Sequence, residues 1–389
     1  MPRTLSALLL VFAFSSSNSA AAQSATAVVK VQNRLDVARA SETIALKASD
    51  LKRVLMVDDL RRVHVVDQES KEEELTQAVD SNQEGVFEEL LFQIDIGPKQ
   101  TKTFILKVGE RAVPRKEDFK AYGRFVRERL DDFAWENDRI AHRMYGAALE
   151  TWPQEPLTSS AVDVWTKRVP RLVINDWYMV DDYHRDHGEG GDFYPAGSTR
   201  GCGGNGIWAD GRLYPSANFV NSRVLANGPI RVMFELSYKT WDAHGIRVSE
   251  VKTITLDAGQ NFDRFQSHYT LEGGAQELTD AIGIRKGEGA TASVSREHGS
   301  LRSWETLKGE GQLGCAVIVD PSGFLASTED NKNYLLTVKV PTDHVVTYYA
   351  GFGWSLSGQF RNIEDWDRYV SDYSVRLRSP LDVTLTKEP

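Results

Sequence analysis

Two turn signals in the middle of the chain restrict its fold most. Asn227-Gly228 stands between the β-type runs Val220–Leu225 and Ile230–Trp241. Both turn residues tolerate positive φ, so the pattern reads as a hairpin. Asp257-Ala258-Gly259 then separates Arg247–Leu256 from Phe262–Thr270, and the runs Cys315–Val319, Tyr334–Val340 and Val345–Phe352 follow. Many short strands joined by turns, with no βαβ alternation, predict packed antiparallel sheets. Helical signal is sparse. It is clearest over Asn362–Val370, where Asn362 caps and Ile363, Trp366, Tyr369 and Val370 share one face. Val162–Lys167 and Leu172–Tyr178 read as short helices. The expected class is all-β and mainly antiparallel, with few short helices.

The runs Ala27–Val31, Ile44–Lys47, Val63–Val66, Leu90–Ile96 and Thr103–Val108 have the spacing of a small β-sandwich. We assign it to residues 25–112. The charged stretch Arg111–Asp118, with Pro114, is the boundary, and residues 117–389 form the larger β domain. Residues 1–22 read as a signal peptide: Arg3 opens it, Leu5–Phe14 is a short apolar stretch, and Ala20-Ala21-Ala22 suits cleavage. The expected location is therefore secreted or periplasmic. Cys202 and Cys315 could pair there, and sequence leaves their state open. The 46 basic and 55 acidic residues of the 389 give a net charge of −9, which argues against a nucleic-acid partner. No second apolar run argues for a membrane span. Oligomeric state is not legible.

One segment concentrates chemistry. Tyr183–Trp208 holds eight glycines in 26 residues, with His184, His187, Asp186, Glu189, Asp192, Arg185 and Arg200. That glycine density predicts a loop with unusual backbone angles rather than a regular strand, and loops on a rigid β scaffold carry chemistry. Gly201–Gly206 matches G-x-G-x-x-G, but no apolar strand leads in and no helix opens after it, so a dinucleotide site is rejected. The glycines are expected to bring backbone close to a ligand or a neighbouring strand. His184-x-x-His187 with Glu189 or Asp192 offers zinc-type ligands without a metalloprotease spacing. No cofactor is expected, with a Zn or Ca ion as the alternative. A histidine there is equally suited to move protons.

A second cluster runs from Asp131 to Gly146. Read as a strand, it puts Arg143 and Tyr145 on one face and Ile140, His142 and Met144 on the other. Arg143 is a candidate carboxylate fork, or half of an ion pair with Glu136 or Asp138. His142 reads as a satisfied core residue. His268 alternates with Gln266 and could face a groove. Aromatic residues stack on sugar rings but are also ordinary core; Trp208 and Trp354 are the binding candidates.

The order of these blocks is similar to that of a family of secreted bacterial proteins found among polysaccharide-degradation genes and long labelled only a domain of unknown function. The blocks are Asp131–Gly146 (DDFAWENDRIAHRMYG), Tyr183–Trp208, Asn227–Leu236 (NGPIRVMFEL), Thr253–Gly259 (TITLDAG) and Tyr348–Phe360 (YYAGFGWSLSGQF). The resemblance spans roughly Val28 to Tyr369. It implies an N-terminal β domain plus a mutarotase-like β-supersandwich, and it resembles oligosaccharide dehydratases and lyases acting on uronic acids. The expected substrate is then an acidic oligosaccharide. Elimination across C4–C5 of a uronate needs a carboxylate clamp, a base for the C5 proton and an acid for the leaving oxygen. From residue type and clustering, Arg143 and Arg200 are the expected clamp, with Asn137 and Glu136 as neighbouring binding candidates. His184 or His187 is the base, and Tyr183 or His268 the acid. A hydrolase or epimerase using carboxylates such as Glu136, Asp138, Glu189 or Asp192, and a non-catalytic carbohydrate binder, remain as alternatives.

Overall fold

A computed structural model describes residues 26–273 and 277–387. The signal-peptide reading of residues 1–22 lies outside them. Antiparallel sheets dominate, and three α-helices accompany them among the described residues: α1 (Ala48–Leu55), α2 (Ile174–Val180) and α3 (Ile363–Arg378).

The first layer pair is a small sandwich. Its three-stranded sheet runs Arg39–Lys47, Glu89–Ile96, Thr76–Val79. Its five-stranded sheet has Thr26–Gln32, Thr101–Val108 and Val63–Asp67 at its centre. Alternation sends Val29, Val31, Ile44, Leu46, Phe92 and Phe104 inward, and α1 closes the core with Leu51, Val54 and Leu55. The last strand among the described residues, Asp382–Lys387, returns to this sandwich, where Val383 faces Val31. It therefore sits with the first sheet, not with the rest of residues 117–389.

The second region is built on an eight-stranded sheet. Its order is Asn221–Asn227, Arg231–Ala243, Ile246–Asp257, Phe262–Glu272, Val345–Trp354, Gln312–Val319, Ser300–Thr306, Thr291–Ser295. Both hairpins read from the turns are present. Val232, Phe234, Leu236 and Tyr238 point to one face, where a five-stranded sheet led by Cys202–Ala209 and Thr279–Arg285 packs on them. The opposite face carries α3. Asn362 accepts the Asp365 amide at 2.9 Å, and Trp366, Val370 and Tyr373 cover Phe262, Ala316 and Ile318. Trp366 fits because Gly314 faces it; a Cβ on Gly314 would sit 2.4 Å from the indole.

A third sheet, Ala121–Val126, Asp132–Asn137, Ala141–Met144, Asp163–Lys167 and Gly190–Gly191, carries the chemistry. Two expectations change here. Val162–Lys167 is a strand rather than a helix, because Val164 and Trp165 pack into different clusters on opposite faces. The glycine segment is not loop throughout, since Cys202–Ala209 is an inner strand, paired on both sides. Its glycines serve close packing: at Gly201, φ +60°, a Cβ would lie 2.0 Å from the Val162 carbonyl oxygen.

Candidate functional site

The site begins with cross-strand pairing. Arg143 sits directly opposite Asp163 on the neighbouring strand. Its Nε donates to Asp163 Oδ2 at 2.9 Å, and the Tyr145 hydroxyl donates to the same oxygen at 3.1 Å. The glycine loop then brings in a third group. Gly190, φ +113°, lies where a Cβ would meet the Thr166 carbonyl oxygen at 2.1 Å. That close approach lets Gly190–Gly191 pair with Thr166 and Lys167. Asp192 follows, and its Oδ2 accepts from Arg143 Nη2 at 2.7 Å. Asp132 lies 3.7 Å from Arg143 Nη1.

Arg143 thus holds three buried carboxylates together. Burial alone would favour its neutral form, but Asp192 and Asp163 more than offset that and hold its proton more tightly than usual. Burial pushes Asp132 up to about 7, with Arg143 and Arg129 opposing. Burial and the charge of Asp163 raise Asp192 well above the ordinary carboxylate range, against the pull of Arg143. Burial, then Asp163, keeps the Tyr145 phenol protonated far into base.

Above this cluster is a cavity of about 530 Å³, the size of a small-ligand pocket. Arg129, Arg143, Arg285, Lys308 and His184 supply its bases, and Glu155, Asp163, Asp192, Glu288 and Glu310 its acids. His184 stands at the rim. Its Nδ1 lies 3.2 Å from the Asp192 backbone oxygen and 3.5 Å from Asp192 Oδ2, and its ring rests 4.7 Å from that of Tyr183. A proton on Nδ1 satisfies the carbonyl and leaves Nε2 as a free acceptor. Arg129 donates from Nε to the Tyr183 hydroxyl at 2.9 Å, while its Nη1 has no hydrogen-bond partner among the described residues. Phe193 lines the cavity and packs on Trp354, ring centroids 6.2 Å apart.

The structure gathers some of the residues singled out from sequence and disperses others. Arg143 and His184 line the cavity, and Tyr183 supports them from beneath. Arg143, however, is not an open fork, because Asp163 and Asp192 occupy two of its nitrogens. Trp354 is buried below Phe193, under the Arg168 guanidinium and bonded to the Glu310 carbonyl, so it offers no ring to a ligand. His187 pairs with Asp182 at 2.8 Å beside a separate recess that it shares with Trp177 and Glu189. His268 is exposed on the outer face of the eight-stranded sheet, on the side opposite Ser267 and Tyr269. Arg200 is buried between the sheets, donates to Ser160 Oγ at 3.0 Å, and is lowered by burial to about 10. Trp208 is half-buried near the end of its strand, outside the cavity lining.

Glu136 and Asn137 have internal work. Glu136 accepts the Val173 and Ile174 amides at the start of α2, at 2.7 and 2.8 Å, and pairs with buried Lys167 at 2.6 Å. Asn137 donates to the Asp257 and Gln260 carbonyls. His142 is the core residue expected: Nδ1 meets the Asp163 carbonyl at 2.9 Å and Nε2 lies 3.0 Å from Asp263. Cys202 and Cys315 are both buried free thiols. Among the described residues no group of three His, Cys, Asp or Glu is arranged as metal ligands.

Sequence reading passed over Asp132, Asp163, Tyr145 and Arg129 as site residues. Tyr145 was legible as a face-mate of Arg143. Asp163 was hidden by the helical reading of its strand.

A family model described as a domain of unknown function, DUF4861, matches residues 31–383. "Uncharacterized protein P7" of Formosa agariphila is 34% identical over 375 residues, 92% of this chain and 93% of that one. A structure described as a protein in the glycosyl hydrolase family 38, from Enterococcus faecalis, superposes with TM-score 0.50 at 8% identity, over 93% of this chain and 47% of that chain. An alpha-mannosidase from E. faecalis V583 gives 0.47 at 8% identity, over 94% and 46%. The chain spans about half the length of the solved structures it matches. The likeness is one of fold alone.

Proposed function

The chain belongs to the DUF4861 family, and we propose that it is an exported enzyme performing β-elimination on uronate-bearing oligosaccharides, in the cavity at whose rim His184 stands. The observation that carries this reading is the pairing of His184 Nδ1 with the Asp192 carbonyl, 3.2 Å apart, which frees Nε2 toward a cavity rich in both cations and proton donors. His184 Nε2 takes the C5 proton. The C5–H electrons form the C4=C5 bond, the C4–O bond breaks, and the leaving oxygen takes a proton. Tyr145, or Asp192 with its raised proton affinity, supplies that proton. Arg129 and Lys308 in the wall are the cations that neutralise the uronate carboxylate; Arg143 is engaged by Asp163 and Asp192, Arg285 by Glu305, and Arg200 lies outside the cavity lining. The leaving group is hydroxide, protonated to water, in a dehydratase and a sugar in a lyase.

The test is to incubate the purified chain with uronate-terminated oligosaccharides and follow ultraviolet absorbance and mass. New alkene absorbance with loss of one water is the dehydratase result; absorbance with chain shortening is the lyase result. Shortening without absorbance overturns elimination. It would move the reading to hydrolysis, which one observation favours: the site holds two buried carboxylates, Asp192 and Asp163, with Glu288 and Glu310 in the same wall.

A further inference from the structure

A second cavity, of about 300 Å³, shares no lining residue with the first. It lies on the outer face of the eight-stranded sheet, between the N-terminal sandwich and α3. Its floor is a row across three strands: Thr255 faces Arg264, and Arg264 faces Tyr349. Tyr373 of α3 forms one wall, its ring 6.0 Å from that of Tyr349, and Glu42 and Thr43 of the sandwich stand opposite.

The charges in this cavity do not cancel. It holds three arginines, Arg231, Arg264 and Arg376, and two carboxylates, Asp257 and Glu42. Both carboxylates are engaged. Asp257 accepts Arg231 in a bidentate pair at 2.6 and 2.8 Å. Glu42 accepts from Arg39 and Arg376. Arg264 has no carboxylate within 4 Å among the described residues, and its hydrogen bond is Nη1 to Gln266 Oε1, at 2.7 Å. Its Nε and Nη2 have no hydrogen-bond partner among the described residues. A chain of net charge −9 thus keeps one uncompensated guanidinium in a concave site, beside an aromatic ring and a threonine hydroxyl. A planar fork matches an oxyanion, and a tyrosine face packs on the C–H groups of a pyranose. The volume suits about one sugar ring, being at the lower end for ligand pockets.

We propose that this cavity is a second, non-catalytic sugar site that takes one oxyanion-bearing pyranose, with Arg264 holding the anion and Tyr349 the ring. The ligand class rests on the uronate reading above, whereas the site rests on Arg264 and its neighbours. It would hold a chain at a point remote from the elimination cavity, so that successive encounters begin from a bound polymer.

The experiment is binding, not turnover. Calorimetric or NMR titrations of the full chain would use methyl glucuronide, glucose 6-sulfate and methyl glucoside. Arg264→Gln and, independently, Tyr349→Leu should each weaken binding of the anionic sugar at least tenfold at one of two sites. Loss of glucuronide binding identifies a carboxylate as the anion, and loss confined to the sulfated sugar identifies a sulfate ester. Glucuronide and sulfated sugar binding unchanged in both variants, or neutral glucoside binding as tightly as either, overturns the site. Because the readout needs no alkene, absence of elimination would sink the catalytic reading and leave this result standing, and the reverse also holds.

Discussion

Arg143 Nη2 lies 2.7 Å from Asp192 Oδ2, and this bond ties the inner strand of the third sheet to the glycine loop that carries His184. The same guanidinium holds Asp163, so one cation sets the positions of two acids from separate segments. Removing one partner of such a buried group leaves the others uncompensated.

Arg143→Ala is therefore expected to cost on the order of 3–5 kcal/mol in denaturant unfolding, the range for breaking a buried ion pair. Arg143→Lys should recover part of it, because a point charge replaces the fork without its geometry. Stability of the alanine variant equal to that of the parent would remove the keystone role.

The two loop histidines should separate cleanly in kinetics. His184→Asn should lower turnover by roughly 10²- to 10⁴-fold, the usual contribution of a positioned proton-transfer group. His187→Asn should leave it nearly unchanged, since its partner is Asp182 and it lines another recess. Equal losses in both would argue that the loop as a whole, rather than His184, is at work.

Asp280 gives a pH prediction far from the site. It is fully buried, accepts from Asn205 at 3.0 Å, and is raised by burial from 3.8 to about 7. Between those values the folded chain holds a proton that the unfolded chain has lost. Its stabilising contribution is present below about pH 4 and is lost as pH rises toward 7. Relative to the parent, Asp280→Asn should gain stability from about pH 4 to about pH 7 and level off above, read as a difference in melting temperature that grows over that range. A constant difference across that range would contradict the raised value.

Glu136→Ala tests structure against binding. Loss of the α2 amide acceptor and of the Lys167 partner should destabilise by about 3–5 kcal/mol. The Michaelis constant of the remaining folded enzyme should not move. A raised Michaelis constant at unchanged stability would return Glu136 to the substrate.

Trp366→Ala should cost about 3–5 kcal/mol, because the indole fills the space left by Gly314 and anchors α3 on the sheet. Chemical unfolding measures it. A loss below about 1 kcal/mol would mean that α3 is held elsewhere.

The strand pattern, the hairpins at Asn227-Gly228 and Asp257-Ala258-Gly259, and the Asn362 cap were legible because turn chemistry and alternation are local. So was the Arg143–Tyr145 face. Residue type and clustering do not tell a ligand-facing charge from an internal one: Glu136 is buried among hydrogen bonds to Val173, Ile174 and Lys167, and Arg200 packs on Gly283. His268 was placed on the correct strand, but alternation does not say which face meets the site. Asp163 and Arg129 reach the cavity through pairings between segments distant in sequence, and no local pattern records those.

The pairing of Val31 with Val383 has a consequence for how the chain is made. The first sandwich lacks an edge strand until residues 382–387 have been synthesised, so its five-stranded sheet is completed only after the second region has been made. Excision at the boundary near residue 112 would also strip that strand away. The two regions are therefore not interchangeable modules: a recombination event that moved either one alone would leave an open sheet edge, the kind of surface that recruits other chains.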